Sequence, residues 1–113
     1  MNEDEFLQQM GSRILSRRKQ LDLTQEELAY HAGITSQTIS TAELGKKGLR
    51  PGNIVKLANA LDVSTDYLLR GQVTSIDRNS LLERIEKLSP AQYHHLEDII
   101  NSFLAALNEE QGN

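Results

Sequence analysis

Two short helical stretches hinged on a glycine constrain this chain more than any other feature. Thr24-Gln25-Glu26-Glu27 has the pattern of a capping box. The Thr24 hydroxyl can accept the backbone N–H three residues on, and the Glu27 carboxylate can reach back to the Thr24 N–H. A helix starting there runs only to about His31, because Gly33 breaks it. Ile34-Thr35-Ser36-Gln37 restarts a helix that ends near Leu44-Gly45. Ala29 offers the small side chain that close helix approach requires. Gly33 permits the positive φ of a tight turn. Ile39 falls where the second helix turns inward.

The flanks read as further helices. Leu7, Met10, Ile14 and Leu15 are spaced for one face of a helix over residues 5–20, with Arg13, Arg17, Arg18 and Lys19 at its basic end. Lys46-Lys47-Gly48-Leu49-Arg50 is a basic loop. Pro51 suits the first turn of a fourth helix, carried by Ile54, Leu57, Ala58 and Leu61. Ser64 caps a short fifth helix that stops at Gly71. Residues 72–79 lack periodicity and read as a linker. Ser80-Leu81-Leu82-Glu83 and Ser89-Pro90-Ala91-Gln92 are two more capping boxes, predicting helices over 81–88 and 90–108. The expected class is therefore all-α. A five-helix unit over residues 6–71 precedes a C-terminal helical hairpin over residues 80–109.

Composition narrows the function classes. The chain has 113 residues, 38% hydrophobic and 25% charged, which is near the globular norm and away from disorder. No run approaches the roughly 20 apolar residues of a membrane span. The acidic N-terminus is followed by no apolar stretch, and cysteine is absent, so a cytoplasmic protein without disulfides is expected. The net charge of −4 is segregated: residues 6–71 carry nine Lys/Arg against six Asp/Glu, and residues 72–113 carry three against seven. A slightly basic block thus sits beside an acidic tail. His94 and His95 are adjacent and project about 100° apart, so they cannot share a metal as an i, i+4 pair can. His31 stands alone. No catalytic constellation, metal site or cofactor-binding loop is readable, and no enzyme is expected.

The helix beginning near Thr35 carries the functional signal. With Ile39 inward, Gln37, Ser40 and Thr41 point away from the core, and Ser36 lies at the entry. A short polar face of this kind can enter a DNA major groove, where Gln can pair bidentately with adenine. Ser36, Gln37, Ser40 and Thr41 are the base-reading candidates. Arg13, Arg17, Thr35, Lys46, Lys47 and Arg50 are phosphate-contact candidates.

The order of these residues resembles the Cro/CI (XRE) helix-turn-helix regulators typified by the phage repressors. The resemblance rests on Leu23-Thr24-Gln25-Glu26-Glu27-Leu28-Ala29, Ala32-Gly33-Ile34-Thr35, Ile39-Ser40 with Glu43 and Gly45-Lys46, and the stretch from Pro51 through Ile54–Ser64 to Tyr67-Leu68-Leu69. It covers roughly residues 10–71 and implies a lambda-repressor-like fold. It further implies dimeric binding to a double-stranded operator, usually for repression. By position, Gln25 matches the family's phosphate-clamping Gln, and Ser36, Gln37 and Thr41 match its base-reading positions. Ala42 stands where a larger residue is common, and Leu44 where Arg or Asn is common. The second departure removes a phosphate donor for which Lys46 and Lys47 can compensate.

The tail helix repeats Tyr93, Leu96, Ile100, Phe103 and Leu107, widened by Ile99 and Leu104. A stripe of that width needs cover. The expected cover is a second copy in a homodimer, with packing back on the same chain as the plain alternative. A different class of function stays open: an interaction module, antitoxin-like or bound by an antirepressor, whose tail engages another protein.

Overall fold

The structure, a computed structural model, describes residues 2–111. Every regular element among them is an α-helix: α1 (Glu3–Gln20), α2 (Gln25–Ala32), α3 (Ser36–Glu43), α4 (Pro51–Leu61), α5 (Thr65–Arg70), α6 (Ser75–Glu86) and α7 (Pro90–Gln111). None is long and apolar enough to cross a membrane. The chain divides into two compact units, residues up to 80 and residues from 81.

Local chemistry sets the helix ends of the first unit. The Asn2 side chain accepts from the Glu5 N–H at 2.8 Å and starts α1. At α2 both halves of the capping box form: Thr24 Oγ1 accepts from the Glu27 N–H, and Glu27 Oε1 accepts from the Thr24 N–H, each at 3.0 Å. Gly33 closes α2 at φ 73°, where a side chain would be strained. Thr35 Oγ1 accepts from the Thr38 N–H at 3.1 Å and starts α3. Pro51 occupies the first turn of α4, and Ser64 caps α5.

The core lies where α1 to α5 converge. Met10 and Ile14 of α1, Leu28 of α2, Ile39 of α3, Leu57 and Leu61 of α4, and Leu68 of α5 are all fully buried. Each contributes roughly 1.5–3 kcal/mol of burial free energy. Ala29, Ala32, Ala42 and Ala58 fill the close approaches between them. The tightest involves Gly11: a Cβ there would collide with the Ala42 carbonyl oxygen and sit 2.8 Å from that of Glu43. A glycine is thus required for α1 to lie directly on the end of α3.

The junction after α5 corrects one reading of the sequence. Residues 75–79, expected as linker, are the first turns of α6. Asp77 replaces the Glu or Gln of a capping box. Its carboxylate accepts the Thr74 N–H at 2.8 Å, while the Arg78 N–H donates to the Thr74 carbonyl oxygen. The same carboxylate accepts from the Ser64 N–H and hydroxyl, both at 2.7 Å, and from the Thr74 hydroxyl at 3.2 Å. Burial pushes the Asp77 carboxyl up, but these hydrogen bonds outweigh it and hold the group below its ordinary value. Ser80, expected to cap a helix, lies within one instead. Its hydroxyl is buried and donates to Asp62 Oδ2 at 2.6 Å.

In the second unit, the Ser89 box forms as expected. Ser89 Oγ accepts from the Gln92 N–H at 3.2 Å, and Gln92 Oε1 from the Ser89 N–H at 2.9 Å. No described residue of α7 is buried. Tyr93, Ile99, Ile100, Phe103 and Leu104 are exposed, and Leu96 and Leu107 are half-buried.

Candidate nucleic-acid interface

The site is built on α3. Ile39 and Ala42 anchor its inner face at 0% and 1% exposure. The remaining surface is polar. Gln37 is exposed, and Ser36, Ser40 and Thr41 are partly exposed. Two of these side chains restrain each other: the Thr41 hydroxyl donates to the Gln37 carbonyl oxygen at 2.8 Å, and Gln37 Nε2 donates to Thr41 Oγ1 at 3.2 Å. The Gln37 amide is thereby held along the helix with its oxygen unengaged by that pair. Thr35 is exposed at the head of the helix. Leu44, 61% exposed, closes it with an apolar group.

A cleft of about 380 Å³ adjoins this face. Gln37, Thr38, Thr41 and Ala42 of α3 line it together with Lys47, Gly48, Leu49, Arg50 and Asn53. The basic loop is therefore brought beside the polar face of α3. Lys46, Lys47 and Arg50 are exposed. Thr38 and Asn53 were not singled out from the sequence. Thr38 bonds its hydroxyl to that of Thr35 at 2.8 Å, and Asn53 is displayed by the α4 entry, whose placement depends on tertiary packing.

The other basic candidates have different work. Arg17 is 7% exposed, and its Nε donates to the Leu61 carbonyl oxygen at 2.9 Å. Its phosphate assignment is therefore withdrawn. A guanidinium buried at the end of α4 satisfies a carbonyl that the helix leaves unpaired and complements its dipole. Arg13 does the same for α5, with Nη1 donating to the Leu68 carbonyl oxygen at 2.9 Å. Helical periodicity identified these as a basic end of α1. It carried no information on which helix termini that end would meet.

Gln25 sits at the first turn of α2, half-buried, and donates from Nε2 to Glu43 Oε1 at 2.9 Å. Glu43 also pairs with Arg18 in a two-pronged contact, Nε to Oε2 at 2.7 Å and Nη2 to Oε1 at 3.1 Å. Arg18 Nη1 donates further to the Leu23 carbonyl oxygen at 2.8 Å. The hydrogen bond to Glu43 raises the Arg18 pKa above its ordinary value, against the opposing effect of burial. No sequence reading linked Arg18, Gln25 and Glu43. Opposite charges 25 residues apart were the available signal, and no local period connects them.

Two short helices meeting at a left-handed glycine, the second standing on a buried seam and showing a polar face, form a helix-turn-helix. Residues 14–68 match the helix-turn-helix family. The SPbeta prophage-derived transcriptional regulator YonR of Bacillus subtilis is 35% identical over 78 residues, covering 69% of this chain and 72% of YonR. Repressor protein C2 of Salmonella phage P22 is 37% identical over 67 residues, covering 59% of this chain and 31% of the repressor. The crystal structure of the P22 c2 repressor with a synthetic operator superposes with a TM-score of 0.55 and 38% identity, covering 57% of this chain and 98% of that one. The chain belongs to the helix-turn-helix family of transcriptional regulators. It spans less than half the length of four of the curated relatives it matches.

Proposed function

We propose that this chain is a sequence-specific DNA-binding repressor without catalytic activity, acting in the cytoplasm as a homodimer on an inverted-repeat operator. The observation that carries this reading is the polar face of α3, raised on Ile39 and Ala42 and flanked by the basic loop. In the proposed mechanism α3 enters the major groove. Gln37 and Thr41 read base edges, with Ser36 and Ser40 at the margins. Gln25, Thr35, Lys46, Lys47 and Arg50 hold phosphates and set the register. Arg13 and Arg17 are left out because their guanidinium groups serve helix ends.

The second copy is proposed to cover the apolar stripe of α7, from Tyr93 through Leu96, Ile99, Ile100, Phe103 and Leu104 to Leu107. Exposure of that stripe in one chain supports this. Two-fold pairing requires two inverted half-sites, centred about 10 bp or a further multiple of a turn apart. The same stripe supports a second reading, in which another protein such as an antirepressor occupies it.

Selection of bound sites from random duplex DNA, followed by affinity against salt, tests the proposal. A two-fold symmetric consensus is expected. Three loop cations per protomer give a log–log salt slope of roughly −5 for a dimer. Failure to enrich any sequence overturns the repressor reading and favours the tail-binding protein.

A further inference from the structure

We infer that Glu43 is a positioning residue for DNA recognition, fixing which edge of the Gln25 amide faces the phosphate backbone, while Arg18 cancels the charge that Glu43 brings there. The inference rests on the proposed phosphate contact of Gln25.

A carboxylate can only accept hydrogen bonds, so the amide end of Gln25 at 2.9 Å from Glu43 Oε1 must be its nitrogen. One of the two Nε2 hydrogens is committed to Glu43, and the amide plane is fixed with the second as the remaining donor. Without that anchor the amide can turn over and offer its carbonyl oxygen, which a phosphate repels. The Glu43 side chain is 4% exposed and that of Arg18 12%, so solvent competes little for either group. A bare carboxylate at a phosphate-contact site opposes binding. The two-pronged pairing with Arg18 cancels that charge while leaving Glu43 Oε1 able to accept from Gln25 as well. Glu43 closes α3, and Gln25 opens α2, so the bond also ties the phosphate-facing end of one helix to the base-reading helix.

The test is a mutant cycle in the full chain, on the operator selected by the wild type. Gln25→Ala is combined with Glu43→Gln and, separately, with Glu43→Asp. Glu43→Asp keeps the charge beside Arg18 and shortens the reach by one methylene. Thermal melts establish that each variant is folded at the assay temperature. With Glu43 in place, Gln25→Ala is expected to weaken operator binding by the dimer about a hundredfold, the loss of one hydrogen bond to a charged group in each protomer. In the Glu43→Asp background, where the shorter carboxylate no longer reaches the amide, the same substitution is expected to cost less than about twofold. In the Glu43→Gln background, where one neutral amide oxygen is shared between Gln25 and Arg18, it is expected to cost less than in the wild type. An equal cost of Gln25→Ala in all three backgrounds overturns the positioning role while leaving the Gln25 contact standing. No cost in the wild-type background overturns the Gln25 contact itself, and the inference with it. A Glu43 that merely masks Arg18 gives a third signature. Glu43→Gln then tightens binding and steepens the salt slope, with the cost of Gln25→Ala unchanged, and this too refutes the inference.

Discussion

Gly11→Ala sets two effects of similar size against each other, and the packing of α1 on α3 sets the sign. Alanine in a helix interior is favoured over glycine by about 1 kcal/mol. Gly11 lies inside α1 and is buried, so propensity alone predicts a more stable protein. The added Cβ, however, collides with the Ala42 carbonyl oxygen and meets the Glu43 carbonyl oxygen at 2.8 Å. Ordinary carbon–oxygen contacts begin at about 3.3 Å, so α1 and α3 must separate by about an ångström at the closer of the two. Backbone carbonyls at a helix end cannot rotate aside as a side chain can. The separation opens the packing of Met10, Ile14, Ile39 and Ala42, all at 0–1% exposure. Overpacking of this kind costs up to about 3 kcal/mol. The net is a destabilisation of about 2 kcal/mol, which lowers the melting midpoint by roughly 8–16 °C for a unit of this size. Calorimetry at matched protein concentration measures it, with Gly52→Ala as the control. Gly52 lies in α4 with no atom within 4 Å of its would-be Cβ, so alanine there is expected to raise the midpoint by a few degrees. A Gly11→Ala protein that melts at or above the wild type refutes the close approach of α1 to α3.

Four other outcomes are expected. Lys46→Ala with Lys47→Ala leaves the melt unchanged and makes the salt slope shallower by roughly 3–4 for a dimer, while Arg17→Met lowers stability by about 1–3 kcal/mol and leaves the slope alone. Asp77→Asn destabilises the first unit by about 1–2 kcal/mol through its weakened acceptors. Because folding lowers the Asp77 pKa, its contribution is present above the unfolded value of about 4 and is lost as pH falls through the folded value; acid titration of the melt should show that part of the slope missing in the Asn variant. Phe103→Glu with Ile100→Glu should convert a dimer to a monomer in sedimentation while leaving the helix content of the first unit intact, and an unchanged sedimentation coefficient removes α7 from the interface.

Elements whose signals are local were legible from the order of residues. Thr24 and Glu27 cap α2, Gly33 ends it, Thr35 and Ser64 start their helices and Pro51 opens α4, because each such signal acts within one turn of the backbone. The inward face of α3 at Ile39, and with it the outward polar face of Gln37 and Thr41, was legible through helical period. The start of α6 was missed because Asp77 is a less familiar capping partner and its carboxylate is also held by Ser64, 13 residues upstream. The roles of the charged side chains came from packing instead. Arg17 and Arg18 are neighbours along the chain, yet one fills the end of α4 and the other pairs with Glu43. A charge is satisfied by whatever partner lies within a few ångströms, and for these two the partner lies 44 or 25 positions away. Only the folding of α1 against α3 and α4 brings those partners into reach.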